Sequence, residues 1–223
     1  MTRVFYADAS VFSNIALFEA AFKNLCSENQ EKAKRLKFKE DKNLFVASRL
    51  VFEEALKGFP FYNGSEKIEK AKNGKPYFKN NSYVHFSLSH SGSIALCTVS
   101  DKNIGADVQL MCDFKEGICR RYFLKEEADY VLKAKTDCEK KERFFRIWTL
   151  KEAYSKMTGG GLGSFRDFGI QINNTISIAT KFGISPASFA EFDIEGYKTA
   201  VCICGEEDNF EFKRINLFKL LIN

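Results

Sequence analysis

Only two histidines, His85 and His90, occur in the 223 residues, and none of the seven cysteines forms a Cys-x-x-Cys pair. A structural zinc site needs thiolate and imidazole ligands close together, so this composition argues against one. The cysteines, at 26, 97, 112, 119, 138, 202 and 204, are odd in number and scattered, unlike a disulfide framework. Cys202 and Cys204 sit two apart in an apolar run, on one face of a strand, and reduced, buried thiols are the expectation. No apolar run approaches the roughly 18 to 20 residues that cross a bilayer. Met1 to Tyr6 has no basic region followed by an apolar stretch, so no secretory signal is expected and the protein is read as cytoplasmic. Proline occurs three times, and no Pro- or Ser-rich linker divides the chain. There is no Gly-x-Ser-x-Gly elbow. The run Gly159 to Gly163 lacks the Gly-Lys-Ser/Thr ending of a phosphate loop and reads as a helix end followed by a loop.

What the sequence has is a large apolar complement, 45% hydrophobic with 23 Phe, enough for a buried core in one large or two small domains. Its net charge of +5 is uneven. Through Gly105 there are 16 basic residues against 11 acidic, whereas the remainder has 18 of each. Lys32 to Arg49 alone carries seven basic and two acidic residues, a local surface for an anionic partner such as phosphate, an acidic protein or nucleic acid.

Hydrophobic periodicity gives a strand at Val4–Ala7, a helix at Phe12–Leu25, a second helix opened by a Ser27/Gln30 capping box and running to about Leu36, and a third at Asp41–Lys57. Strands follow at Tyr83–Ser89, Ile94–Val99 and Ile104–Gln109, then a long helix at about Cys138–Thr158. Further strands are expected at Phe168–Ile172, Ser188–Ile194, Thr199–Cys204 and Phe210–Phe218. Helices and strands thus occur twice over, and the apolar runs 94–99 and 200–204 look alike. The reading is an α+β fold of two similar subdomains, residues 1–105 and 106–223.

Three segments can carry chemistry. In Phe86 to Gly92, Ser89 and His90 beside a glycine can approach a phosphate, or His90 can be a turn residue that satisfies nearby backbone. Alternation puts Asp107 and Gln109 on one strand face, where their oxygens suit a hard cation such as Mg²⁺ or simply meet solvent. Trp148, Glu152 and Lys156, spaced four apart, share a helix face and can hold a metal and a phosphate side by side or form an ordinary exposed ion pair.

Taken together, Ser89-His90, Gly105-x-Asp107 and Trp148-x-x-Lys151-Glu152-Ala153-x-x-Lys156, in this order and spacing, resemble the Sfp-type 4′-phosphopantetheinyl transferase family. Lys39-Glu40-Asp41 and Gly74-Lys75-Pro76 also match its pattern, so the resemblance runs from about Lys32 to Leu162. It implies two α/β subdomains in pseudo-twofold arrangement with the active site between them. It also implies transfer of the phosphopantetheine arm of coenzyme A to a serine of an acyl or peptidyl carrier protein, with release of 3′,5′-ADP.

By this resemblance Asp107, Gln109 and Glu152 would hold Mg²⁺, and Glu152 or a metal-bound water would be the general base. Lys156 would stabilise the leaving charge. Lys32, Arg35 and His90 would hold the 3′-phosphate, Ser89 would touch the pyrophosphate, and the backbone of Gly74, Lys75 and Pro76 would line the adenine. Many relatives carry a second carboxylate where this chain has Gln109, which leaves the third metal ligand open. Between Asp107 and the long helix, Met111 to Lys135, including Phe114, Tyr122 and Phe123, would meet the carrier, and core packing explains those aromatics equally well. A monomer without nucleic-acid or membrane partners is expected. The competing reading is a non-catalytic nucleotide- or RNA-binding protein that uses residues 32–49, and a Ser/His hydrolase is a third.

Overall fold

The computed structural model describes residues 1–222 apart from 174, 182, 207 and 208. In chain order, β1 (Thr2–Asp8), a 3-10 turn (Ala9–Ser13), α1 (Ile15–Asn24), α2 (Ser27–Arg35) and α3 (Lys39–Leu56) come first. The hairpin of β2 (Ile68–Lys70) and β3 (Pro76–Phe78) follows, then β4 (His85–Ser91), β5 (Ile94–Ser100) and β6 (Ile104–Leu110). The remainder is α4 (Gly117–Tyr122), α5 (Lys125–Leu132), α6 (Asp137–Thr158), β7 (Phe168–Ile172), β8 (Ile176–Thr180), β9 (Gly183–Ile184), β10 (Ala187–Ala190), β11 (Tyr197–Cys204), β12 (Phe210–Arg214) and α7 (Leu217–Ile222). No helix among the described residues is long and apolar enough to cross a membrane.

Two sheets carry the architecture, and the first is mixed. Its order is β12-β1-β5-β4, with β12 parallel to β1 and the other pairs antiparallel, while the second is antiparallel with order β10-β11-β6. Alternation along the central strands explains the layering. Ala95, Cys97 and Val99 of β5 face a core built with α3, whereas Ile94 and Leu96 face a core between the sheets. On β11, Val201 and Ile203 face that same middle core, and Ala200 and Cys202 face a third core around α6. The look-alike apolar runs are therefore strands buried on both faces, each covered by a long helix on its outer side. The α+β expectation holds at this level.

Several boundaries differ from the sequence reading. The helix expected at Phe12–Leu25 starts only at Ile15, because the Asn14 side chain caps it, accepting from Ala16 N at 3.0 Å and Leu17 N at 3.3 Å. The Ser27/Gln30 capping box does not form. Cys26 is the cap residue, and Gln30 donates instead to Leu25 O (2.8 Å) at the otherwise open end of α1. Between β6 and α6 the chain forms two further helices, α4 and α5, and the tail strand stops at Arg214 and turns into α7. The core around α6 draws Phe123, Ala128 and Val131 from that segment, so much of Met111–Lys135 is packing surface. Of the cysteines expected to be buried, only 97, 119 and 202 are, while 26, 112, 138 and 204 are exposed free thiols.

Lys151 is the buried fastening of the second half. Its side chain is 0% exposed, and its ammonium donates to Glu127 Oε1 (2.8 Å) and Phe168 O (2.8 Å), 4.4 Å from the Phe168 ring centroid. Glu127 also accepts from Leu124 N (2.8 Å) and Ile170 N (2.7 Å), so one pair ties α5, α6 and β7. Burial pulls the Lys151 pKa down and Glu127 holds it up. Removing one partner leaves an uncompensated buried charge. Lys151→Met or Glu127→Leu is expected to cost about 3–5 kcal/mol. The double variant should lose less than the sum of the two, as read by urea unfolding.

Candidate active site

The two sheets meet edge to edge at β4 and β6 without a backbone ladder. Alternate serines of β4 replace it. Ser87 Oγ accepts from Ala106 N (3.1 Å), Ser89 Oγ from Val108 N (3.3 Å) and Ser91 Oγ from Leu110 N (3.0 Å). The amides of buried Ala106 and Val108, and of Leu110 at the exposed end of the edge, are thus satisfied by hydroxyls, which keep their own hydrogens for other acceptors.

On its other face β6 runs against α6 at Gly105. A Cβ there would lie 2.0 Å from Ala153 O and 2.3 Å from Met157 N, so strand and helix touch backbone to backbone. Two residues on, Asp107 is 2% exposed and engaged at both oxygens. Its Oδ1 accepts from Lys156 Nζ (2.7 Å) and Ser89 Oγ (2.7 Å), and its Oδ2 accepts from Gln109 Nε2 (3.1 Å). Lys156 also donates to Ser89 Oγ (3.0 Å) and Ala106 O (3.1 Å). Ser91 Oγ donates to Gln109 Oε1 (3.3 Å). Gln109 therefore presents its N–H, not its oxygen, to Asp107.

Glu152 lies one helical turn before Lys156 and has no hydrogen-bond partner among the described residues. Burial raises its pKa first and the nearby Asp107 charge second, with Lys156 opposing. It lines a cavity of about 250 Å³ with Ser155, Lys156, Gly159 and Gly161 on one side and Phe86, Ser87 and Leu88 of β4 on another. The hairpin turn closes the third side through Asn73, Gly74, Lys75 and Pro76.

Most residues singled out in the sequence converge here. Ser89, Asp107, Gln109 and Lys156 form one network, and Gly74, Lys75, Pro76, Glu152 and Lys156 surround the cavity. Lys32, Arg35 and His90 do not line it. Lys32 pairs with Glu28 (2.6 Å) on the open side of α2, and Arg35 and His90 are exposed. Alternation along β4 puts His90 with Phe86 and Leu88, on the face covered by α3. The sequence reading passed over Ser87 and Ser91, although their spacing from Ser89 on a strand was the available signal. It also passed over Asn73 and Asn103, whose part depends on contacts distant in the chain.

The 4′-phosphopantetheinyl transferase superfamily profile matches residues 103–202, and a profile of the N-terminal part of 4′-phosphopantetheinyl transferases matches residues 14–102. A 4′-phosphopantetheinyl transferase of Bacillus subtilis is 30% identical over 194 residues, covering 84% of this chain and 86% of its own. The transferase HetI of a Nostoc species is 33% identical over 158 residues (68% and 66% of the two chains), and Sfp of Bacillus subtilis is 27% identical over 180 (78% and 80%). The chain belongs to the Sfp-type 4′-phosphopantetheinyl transferase family. It is an enzyme, and the cavity of this transferase is walled by both matched segments, with the junction at 102/103 immediately before β6. The close approach at Gly105 lies within the second segment and seats α6, with Glu152 and Lys156, on β6, the strand that the β4 serines join to the first. Gly105→Ala should push β6 off α6 and cost about 3 kcal/mol, checked by urea unfolding.

Proposed function

We propose that this transferase moves the 4′-phosphopantetheine arm of coenzyme A onto a serine hydroxyl of an apo acyl or peptidyl carrier protein and releases 3′,5′-ADP. The observation that carries the reading is the pair Glu152 and Lys156, one turn apart on α6, facing a cavity beside Asp107. The acceptor oxygen attacks the phosphorus that bears the pantetheine arm, the P–O bond to 3′,5′-ADP breaks, and the serine proton passes to Glu152. Glu152 stands at the cavity wall with its carboxylate free of hydrogen bonds among the described residues, which leaves it able to accept that proton. Lys156 meets the charge that develops on the leaving group.

The donor set fits a hard divalent cation. Asp107 and Glu152 are oxygen donors close enough to repel each other, and Glu152 lacks any other partner. Among the described residues no cluster of three or more carboxylate, imidazole or thiol groups forms a self-sufficient metal site, so substrate phosphate and water would complete the coordination. Asp107 and Glu152 would hold Mg²⁺, which would supply neutralisation of the pyrophosphate charge. Gln109, committed to Asp107 and Ser91, is better read as the brace that orients Asp107 than as a third ligand.

We assign the coenzyme's 3′-phosphate to Lys32, Arg35 and His90, on the basic α2–α3 side of the first sheet, and its adenine end to the backbone of Gly74, Lys75 and Pro76. The division of the chain into 1–105 and 106–223 is kept as one of labour, although it cuts inside β6, and β12 with α7 returns to the first half. An approximate twofold between the halves is supported by the matching surroundings of β5 and β11. Each is flanked by antiparallel neighbours and covered by a long helix.

The test is incubation with coenzyme A, Mg²⁺ and an apo carrier protein, read as the intact mass of the carrier. Glu152→Ala should slow loading by about 10²–10⁴-fold while circular dichroism shows a folded chain. Loading at near the wild-type rate by the folded variant would remove Glu152 as base and ligand together. Arg35→Ala should weaken coenzyme A by about 1.5–3 kcal/mol relative to an analogue that lacks the 3′-phosphate. Equal losses for both ligands would take Arg35 out of that site.

A further inference from the structure

The side chain of Lys75, in the hairpin turn, reaches out of its own half of the molecule. Its ammonium donates to Met157 O (2.5 Å), Asn103 Oδ1 (2.5 Å) and Ile104 O (3.3 Å). Met157 O belongs to the last turn of α6, where carbonyls have no helical partner and the helix dipole favours a cation. Asn103 Nδ2 donates to the same carbonyl (2.9 Å), so lysine and asparagine grip it together. Three donors meet three acceptors, all of them neutral oxygens, and no carboxylate pairs with Lys75 among the described residues. Burial lowers its pKa to about 8, which still leaves it mainly protonated at neutral pH.

The turn that carries Lys75 is stiff. Ala71 N donates to Lys75 O (2.9 Å), Gly74 N to Ala71 O (2.8 Å) and Lys75 N to Asn73 Oδ1 (3.1 Å), and Gly74 takes the left-handed conformation with φ 86°. A second contact lies beside the first. A Cβ on Gly159, the left-handed cap of α6, would come within 2.0 Å of Asn73 Nδ2. The turn therefore seats on the helix end at two points. The same helix presents Glu152 and Lys156 to the cavity that the turn closes.

We propose that the Lys75 side chain is a positioning residue for coenzyme binding, latching the turn 71–76 onto the C-terminal end of α6 so that the cavity keeps its third wall. This rests on the coenzyme A reading given above. It assigns the lysine side chain a task separate from the backbone contact expected of the same residue. The latch acts on the coenzyme alone, since the reacting groups stay on α6 and β6 whether or not the turn is seated.

The experiment measures the melting temperature of the full chain with and without coenzyme A, together with steady-state KM and kcat for carrier loading. Lys75→Met keeps the side-chain length and removes the ammonium. It is expected to raise KM for coenzyme A about tenfold and to shrink the coenzyme-induced melting shift. Its kcat at saturating coenzyme should stay within about twofold, with KM for the carrier unchanged. Asn103→Ala leaves the ammonium in place but takes away one of its acceptors and a donor to Met157 O. A coenzyme-specific loss of about threefold is expected for it, and this readout stands if Lys75→Met does not fold. A fall in kcat with KM unchanged, or unaltered coenzyme affinity in a folded variant of either kind, overturns the latch. If the wild-type chain itself shows no coenzyme-induced shift, the coenzyme A reading falls and the latch falls with it. A wild-type shift matched by Lys75→Met removes the latch alone.

Discussion

An amide on the edge of a buried strand has to find an acceptor, and along β6 the acceptors are hydroxyls. Ser87, Ser89 and Ser91 take the amides of Ala106, Val108 and Leu110. Each hydroxyl can then pass its own hydrogen onward, as Ser89 does to Asp107 and Ser91 does to Gln109. A backbone ladder at this edge would satisfy the amides equally well but would end there. The serine seam instead joins two sheets and, through the same atoms, fixes the Asp107 carboxylate, the proposed metal ligand. The burial of Asp107, the reach of Lys156 and the seating of the hairpin all presuppose that seam.

The charges around the cavity follow a pattern of uneven satisfaction. Asp107 accepts from a lysine, a serine and an amide, with room left on Oδ2, whereas Glu152 is half-buried without a hydrogen-bond partner among the described residues and its pKa is raised. Lys151, adjacent in sequence, points the other way into a closed ion pair with Glu127. Within one stretch of helix a fully paired lysine therefore serves stability, and a carboxylate without a hydrogen-bond partner among the described residues faces the cavity. A neutral amide at Gln109 fits this arrangement, because a third carboxylate beside Asp107 would add repulsion without an added cation. The same reasoning separates structural from functional members of a motif whose residues look alike in the one-letter code.

What the sequence made legible was periodic and local. The face-sharing of Asp107 with Gln109, the helix carrying Glu152 and Lys156, and the existence of strands β5 and β11 followed from spacing and apolar pattern, whereas the burial of both faces of those strands came from the structure. Helix starts were misjudged where a nearby group competed for the same bond, as Asn14 and the carbonyl of Leu25 did. The buried course of Lys151 and the span of Lys75 to Met157 rest on contacts 24 and 82 residues away, which no window along the chain can contain. The exposed thiols at 26, 112, 138 and 204 were missed for a related reason. Burial of one face of a strand does not extend to its last residue, and Cys204 is at that end.

The parallel pairing of β12 with β1 has a bearing on how the chain is made. Arg3 meets Glu211, 208 residues further along, so β1 is the last strand to gain its outer neighbour. Domains commonly fold in order of synthesis, and a nascent first half emerging from the ribosome would have β5 and β4 in place while one flank of β1 stayed open. An uncovered strand edge is a template for another chain. The interval between translation of Thr2–Asp8 and of Phe210–Arg214 is thus the period in which this protein is most exposed to misassociation on the polysome.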